Sequence, residues 1–523
     1  MPPQFWSHGT QGLILALALT GGGLAGGLLQ ARGGLASLWR GMAWWVPLTV
    51  AGAVAGAVLR MLLPAGLASG GLLVAHLGQL ALFSLVGYCA ARLLDARERG
   101  ADSHHRGTII RDGRQLQAEA LRHGAPLCLA GVAVTAADET KHFKLIGTTG
   151  TGKSTAIAEL LGGALKRGDR AVIADPDGRY RQLFFSAERG DVILNPFEPL
   201  AHRWDPFAEI HAPYDVDQLA RSLIPDAGSA AAREWQSYAR TFFTGVMRQL
   251  HAAGVHRCAE LYRLLAVAPH EELRHLVGGT AAQPFLEPEN ARMFGSIRSV
   301  TVNAVAALEA VAEQQADALS VRDWVGNGRG VLFVPYSARQ IAALGPIIAA
   351  WLRLAIFETM NPREGAMPQY PRLWFVIDEL DALGPIDGLK DALARLRKFE
   401  GRCVLGFQSI AQVSGTYGVQ EAHTIVENCG NTLILRCSAS EHGGTARFAS
   451  QLIGQREVLR RHTSRTRSGG WAGRGQRSST HSDQHVTEDA VLASEIEQLA
   501  DLEGFLKLAS SSQWLRLRLP RDS

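Results

Sequence analysis

Phe143-Lys-Leu-Ile-Gly-Thr-Thr-Gly-Thr-Gly-Lys-Ser-Thr155 is the stretch on which the reading of the fold turns. An apolar run (Phe143, Leu145, Ile146) leads into Gly147-x-x-x-x-Gly152-Lys153-Ser154, the spacing of a phosphate-binding loop. The residue types follow from the chemistry. Backbone N–H groups along Gly147, Thr148, Thr149, Gly150, Thr151 and Gly152 have to wrap a polyphosphate, and a Cβ at the glycines would block the approach. Lys153 reaches the outer phosphates as a point charge. The Ser154 hydroxyl is a ligand for Mg²⁺, and Thr155 closes the motif. Residues 156–166 have helical spacing, so the phosphates, those of a nucleoside triphosphate, sit on a helix N-terminus.

The 523 residues are enough for two or three domains, and the net charge of +4 declares no global attraction to nucleic acid. Six cysteines are scattered without a C-x-x-C pair, which speaks against a disulfide framework or a zinc site and fits a reducing compartment. Charge is absent over long N-terminal intervals. Three membrane spans are expected, at about 11–30, 42–63 and 68–91, within a membrane region 1–94. The first is glycine-rich and the weakest. No Lys or Arg precedes it, against a signal peptide. With three spans Arg32, Arg40, Arg92, Arg97 and Arg99 lie on the cytoplasmic side by the positive-inside rule; if the first does not span, two remain and the N-terminus faces the cytoplasm. Residues 95–107 are charged and turn-rich and read as a linker, in which His104-His105 is a solvated pair rather than a metal site.

Downstream, residues 108–136 alternate like short strands around an Asp112-Gly113 turn. Ala171-Val-Ile-Ala-Asp175-Pro-Asp-Gly178 and Asp191-Val-Ile-Leu-Asn195 read as parallel strands of an α/β sheet. From about 205 to 325 strand signals are sparse. Trp235, Tyr238, Phe242, Phe243, Val246, Met247 and Leu250 share one helical face, and Met293, Phe294, Ile297, Val300, Val305 and Leu308 share another. An all-helical insertion at 205–325 is therefore expected within a nucleotide-binding domain of 108–204 and 326–523, its aromatic stripe serving as core.

Strands return at Gly330-Val-Leu-Phe-Val-Pro-Tyr336 and at Arg372-Leu-Trp-Phe-Val-Ile-Asp378-Glu379. An apolar strand ending in Asp-Glu is the second half of an NTPase site, with Asp378 on the Mg²⁺ shell and Glu379 as general base for water. Gly401-Arg-Cys-Val-Leu-Gly-Phe-Gln408-Ser409 ends in a polar Gln408 that is either a phosphate or water sensor or a cap on the next helix. Residues 461–482 are basic and Gly/Ser-rich, with Trp471 among them. They read as a mobile loop, either a phosphate-backbone contact or an ordinary surface loop. Gly504-Phe-Leu-Lys-Leu-Ala and Trp514-Leu-Arg-Leu-Arg-Leu alternate as a terminal hairpin.

With these residues placed, the chain resembles the conjugative type IV secretion coupling proteins, the TraD/TrwB group related to the FtsK/HerA ring motors. The matching stretches are Gly147–Thr155, Asp175-Pro-Asp-Gly178, Phe375–Leu380, Leu405-Gly-Phe-Gln-Ser-Ile-Ala-Gln412 and Tyr417-Gly-Val-Gln-Glu-Ala422. The resemblance spans about 140–520. It implies a RecA/FtsK-like P-loop NTPase core of α/β class, with an inserted all-α domain and N-terminal transmembrane helices. It further implies a homo-hexamer at the bacterial inner membrane that hydrolyses ATP, pumps DNA and docks a relaxase–DNA complex (the relaxosome) to the type IV secretion channel. By position Arg397, with Arg395 as rival, matches the arginine that such motors extend into the neighbouring subunit's site. The three expected spans depart from the two of better-known members. The chain also shows no long acidic or Gln-rich C-terminal stretch of the kind some relatives have. A coupling ATPase for protein cargo and a nucleotide-binding docking scaffold are the competing readings. The Asp378-Glu379 pair speaks against the scaffold.

Overall fold

The computed structural model describes residues 103–226, 229–361, 372–439, 444–467 and 477–520. The three expected spans and most of the 95–107 linker lie outside them, as do Trp471 and the side chains between 461 and 481.

The main sheet has ten strands. In chain order they are β1 (Ile110–Asp112), β2 (Phe143–Ile146), β3 (Arg170–Pro176), β4 (Val192–Ile193), β5 (Val331–Tyr336), β6 (Leu373–Ile377), β7 (Gly401–Phe407), β8 (Asn431–Ile434), β9 (Glu503–Lys507) and β10 (Trp514–Arg518). Across the sheet they run β1-β10-β9-β8-β2-β7-β6-β3-β5-β4. From β8 to β4 every neighbour is parallel, and β9 and β10 add the expected antiparallel hairpin at one side. Parallel strands covered on both faces read as unbroken apolar runs. That is why Leu373–Ile377 carries no hydrophobic–polar alternation and is buried throughout; Phe143–Ile146 is buried throughout as well, its one polar residue, Lys144, donating Nζ to Val426 O at 3.0 Å and to Cys429 O at 2.5 Å. Their alternate side chains feed two separate cores. Ile146, Val172, Phe375, Ile377 and Leu405 pack into one; Phe143, Leu145, Ile173, Trp374 and Val404 pack into the other.

Helices fill the chain between β4 and β5, two strands adjacent in the sheet. The entry and exit are fastened together. Arg203–Trp204 pairs in parallel with Ala318–Leu319. The carboxylate of Glu209, 1% exposed, accepts from Trp204 Nε1 (2.8 Å), Ser320 Oγ (3.1 Å), and the amides of Val321 (2.7 Å) and Arg322 (3.1 Å). The two longest helices of this region are Ala230–Ala252 and Ala291–Val305, and Phe242 meets Phe294 edge-on at 5.1 Å. The aromatic stripe expected on the first is core for Phe242 through Leu250, while Trp235 and Tyr238 are only partly covered. Helix Ile341–Thr359 is long and apolar enough to cross a membrane, but 67% of it is buried and it forms part of the core.

Two expectations are corrected. Residues 108–136 are not mainly strands: after β1 a helix runs Arg114–His123, followed by a two-residue ladder, Cys128–Leu129 with Val132–Ala133. Arg-Gln-Leu-Gln-Ala-Glu-Ala-Leu-Arg is built from straight-chain residues and alanine, which lose little freedom in a helix. Gln117 fixes the helix by donating to Ala130 O and Arg518 O. The described ends of the basic segment, 461–467 and 477–482, belong to long strands, Gln455–Arg467 and Arg477–Asp489, in a separate three-stranded sheet with Ser103–Gly107. Composition pointed to a loop, but the Thr and Ser residues among the arginines tolerate extended backbone.

The chain divides into two compact units, 1–105 with 458–486 and 106–457 with 487–523. Within the larger, the N-terminal ends of the parallel strands are tied by charge. Glu139 Oε2 accepts from Arg402 Nε of β7 at 2.9 Å and from Arg167 at 2.8 Å, and Trp374 Nε1 donates to Asp169 at 2.9 Å. Burial raises the Glu139 pKa, but hydrogen bonds from Arg167 and Arg402 and their charges outweigh it and hold the carboxyl below the usual range. A depressed folded pKa contributes stability above the unfolded value and loses it as pH falls through the folded one. Glu139→Gln therefore should cost about 2 kcal/mol at neutral pH, because Arg402 is left buried with only the part-exposed Glu400 as counter-charge. In thermal unfolding, the deficit should narrow as pH drops below the ordinary glutamate range.

Candidate nucleotide-hydrolysis site

The C-terminal ends of five neighbouring strands converge. β2 delivers the glycine loop, β7 Gln408, β6 Asp378 and Glu379, β3 Asp175, and β5 Tyr336. β7 lies between β2 and β6, so the glutamine stands between the phosphate loop and the acidic pair.

The loop enters helix Lys153–Lys166 through Gly150 and Gly152, at φ 78° and 114°, a region that side chains avoid. Thr151 Oγ1 donates to Thr148 O at 2.7 Å, and Thr148 N donates to Arg436 O at 2.9 Å beyond β8. Leu502 N reaches Thr151 O at 3.0 Å, so the last hairpin supports the loop as well. Lys153 Nζ donates to Gly147 O at 2.7 Å. Burial lowers its pKa against the opposing pull of Asp378 and Glu379. The exposed Arg179 approaches Thr155 Oγ1 at 3.5 Å.

Ser154 Oγ donates to Asp378 Oδ2 at 2.6 Å. Asp378 is 3% exposed, and its other oxygen, Oδ1, is buried without a partner among the described residues. A hydroxyl beside a carboxylate with a free, buried oxygen is a hard-oxygen donor set, and it fits Mg²⁺. Gln408 joins the two halves of the site: Thr149 Oγ1 donates to its Oε1 at 2.9 Å, and its Nε2 donates to Glu379 Oε1 at 3.2 Å. The cap on the helix after Gln408 comes instead from Ser409, whose side chain accepts from Ala411 N. The Glu379 pKa is raised, first by burial, then by the charges of Asp378 and Asp381; Lys153 and the Gln408 bond act the other way. Gly406 has no room for a Cβ, which would strike the Asp378 carbonyl of the adjacent strand.

Arg397 is not brought to this site. It lies exposed in a turn, Arg397–Phe399, just before β7 begins. β7 itself is seven residues long, so its phosphate end is roughly 20 Å beyond its start at the rise of a strand. Arg395 is exposed on the preceding helix, Leu389–Leu396.

Two residues escaped the sequence reading. Tyr180 OH donates to Asp378 Oδ2 at 2.7 Å. Its helix, Arg179–Phe184, is capped by Asp175, which accepts from the amides of Tyr180 (2.9 Å) and Arg181 (2.7 Å) and whose carboxyl burial pushes up to about 6. The Asp175-Pro-Asp-Gly178 turn was visible; that it aims a tyrosine at Asp378 was not. Asp381 is the other, a third acid whose charge reaches Lys153 and Glu379.

Residues 126–520 match the model of the type IV secretion-system coupling protein DNA-binding domain. The chain belongs to the type IV secretion coupling-protein family, in its TraD/TrwB group. This coupling protein is 31% identical over 329 residues to coupling protein TraD of Escherichia coli (strain K12), covering 62% of this chain and 45% of TraD, less than half of that relative's length. The unbound bacterial conjugative coupling protein TrwBdeltaN70 superposes with a TM-score of 0.71 at 29% identity, over 81% of this chain and 95% of that one. TrwB in complex with the non-hydrolysable ATP analogue ADPNP gives 0.70 at 29%, over 80% and 95%. TrwB with ADP and Mg²⁺ gives 0.70 at 29%, over 81% and 96%. The α/β core of the coupling protein is that of a P-loop NTPase.

Tyr180→Phe takes one of two donors from the buried Asp378 oxygen. It should lower unfolding stability by about 1–3 kcal/mol without nucleotide, read by thermal or urea melting.

Proposed function

We propose that this coupling protein is an ATP-driven DNA translocase of the RecA/FtsK ring type. It is anchored in the bacterial inner membrane by the 1–94 region and couples a relaxase–DNA complex to a type IV secretion channel. The observation that carries the reading is Gln408, which bridges the phosphate loop at Thr149 and the acidic strand at Glu379. A site built only to bind nucleotide needs no such link between its phosphate cradle and a carboxylate of raised pKa. The TrwB structures with ADPNP and with ADP and Mg²⁺ support nucleotide and metal binding in relatives.

The roles follow from position. On loading, the Lys153 ammonium exchanges the Gly147 carbonyl for phosphate oxygens. Ser154 and Asp378 would hold Mg²⁺, which supplies positive charge against the phosphates. Glu379 takes the proton from the attacking water as its oxygen closes on the terminal phosphorus, and ADP leaves. Gln408, shared between Thr149 and Glu379, registers whether the phosphate is present. Arg397, far from its own chain's site, serves the next subunit of a hexamer, where its charge offsets that of the transferred phosphoryl group.

DNA-stimulated ATP hydrolysis by the purified membrane protein tests this reading. Lys153→Ala and Glu379→Gln should each reduce turnover at least about 100-fold, with nucleotide binding retained in the second. Arg397→Ala should lose about 1,000-fold, and mixing it with Lys153→Ala protein should restore part of the rate, since each supplies what the other's site lacks. Turnover indifferent to single- and double-stranded DNA would assign the cargo to protein instead.

The raised Glu379 pKa sets the pH dependence. A protonated base cannot accept the water's proton, so the rate should fall on the acid side at a pH above the ordinary glutamate range. Gln408→Ala removes a contact that lowers this pKa, and should move the acid limb of the pH–rate profile further upward.

A further inference from the structure

The turn after β3 leads into the short helix Arg179–Phe184, and the first two residues of that helix meet two consecutive residues of the phosphate-loop helix. Tyr180 and Ser154 share one acceptor, Asp378 Oδ2, at 2.7 Å and 2.6 Å. Arg179 Nη2 donates to Oγ1 of the next residue, Thr155, at 3.5 Å. The backbone beneath Arg179 is fixed. Gly178 has φ 68°, Asp177 N donates to Tyr336 O at 2.7 Å, and the Asp175 carboxylate accepts from the amides of Tyr180 and Arg181. The Arg179 side chain, by contrast, is exposed.

The two arginines of this helix have different company. Arg181 is paired with Glu198 at 3.0 Å. Arg179 has no ion pair among the described residues, and its one contact is a neutral hydroxyl at the outer limit of hydrogen-bond distance. A guanidinium offers five N–H donors in a planar fork that matches phosphate oxygens, and a hydroxyl engages only one of them and none of the charge. Thr155 is the third residue of helix Lys153–Lys166. The first intrahelical bond there is Ala156 N to Gly152 O at 3.0 Å, so the amides of Lys153, Ser154 and Thr155 are the ones turned out of the helix end toward an anion. The fixed turn thus holds an uncommitted cation against the first turn of the helix on which phosphates are received.

We propose that Arg179 is a nucleotide-binding residue of its own chain's site, its guanidinium leaving the Thr155 hydroxyl to pair with the α-phosphate. Lys153 serves the outer phosphates and Ser154 the cation that bridges them. That leaves to Thr155, next along the helix, and to the arginine on it the charge of the inner phosphate. No charge develops on the α-phosphate while the terminal one is transferred, so Arg179 binds substrate and transition state alike. In this it differs from Arg397, which is assigned to the transferred group of the neighbouring site. The proposal rests on the reading of the loop as a nucleotide site.

Arg179→Gln in the full-length, detergent-solubilised protein tests it, with ADP and Mg²⁺ as the probe. The dissociation constant for ADP should rise about 10-fold or more, the cost of a charge-assisted hydrogen bond. Melting temperature without nucleotide should match the wild type, since an exposed side chain with one long contact is replaced. In steady-state ATP hydrolysis KM should rise about 10-fold with kcat within about twofold of wild type, the signature of lost uniform binding. Mixing with Lys153→Ala protein, at ATP concentrations below the wild-type KM, should restore nothing. Wild-type affinity for ADP overturns the proposal and leaves the ATPase reading standing. A lowered melting temperature without nucleotide overturns it by making the role structural. A rate regained on mixing overturns it by assigning Arg179 to the neighbouring subunit's site. A wild type that fails to bind ADP overturns both.

Discussion

A single hydrogen bond, from Ser154 Oγ to Asp378 Oδ2 at 2.6 Å, joins residues 224 positions apart, and the rest of the structure is arranged so that it can form. Asp378 directly follows β6, Ser154 lies in the helix into which the loop after β2 leads, and β2 and β6 do not touch. β7 runs between them and must be thin where it passes Asp378, which is why Gly406 has no side chain. With β7 in place, its terminal Gln408 falls between the glycine loop and Glu379 without further adjustment. The order β2-β7-β6 is thus both a sheet topology and the wiring of the site.

Concentrating carboxylates at one end of a sheet is costly. Asp378, Glu379, Asp381 and Asp175 crowd the strand C-termini; burial raises the pKa values of the last three, joined at Glu379 by the charges of Asp378 and Asp381 and at Asp175 by that of Asp378. Helix N-termini and the Lys153 ammonium offset part of this. At the opposite strand ends the acids Glu139 and Asp169 are matched by Arg402 and Arg167 and are satisfied within the chain. One end is therefore locked and the other is left with unmet bonding capacity, as a site for a cation and a polyphosphate requires.

The helical insertion is fixed to this core at more than its base. Arg353, buried in helix Ile341–Thr359, donates to Gln218 O (3.2 Å) and Ser222 Oγ (3.0 Å) of helix Asp215–Leu223, and its Nε donates to Asp387 O at 3.1 Å. Asp387 belongs to the segment that follows Asp378-Glu379. Tyr417, on the helix after Gln408, is tied to the same segment by accepting from Ile386 N. The acidic strand, the glutamine strand and the insertion thus share one set of attachments, and a displacement of that segment is felt by all three.

Local chemistry made the phosphate loop, the Asp-Glu strand end and the Gln408 strand legible in the sequence, because each depends on residue types at fixed spacing along one strand and its turn. The helices between β4 and β5 were legible from their 3.6-residue periodicity. The Arg114–His123 helix was missed because alternation was weighed above propensity. The strands at 461–467 and 477–482 were not legible because a basic, Gly/Ser-rich composition hides the tolerance of extended backbone among its Thr and Ser residues. What only tertiary structure decided is which strand ends meet. Tyr180 is an ordinary aromatic residue in sequence, and nothing local shows that its hydroxyl lands on Asp378. Nor does local sequence show that Arg397 lies a strand's length from its own chain's phosphate loop. Strand order across a sheet is set by the packing of two cores at once, so the identity of the groups could be read from the chain, and their company could not.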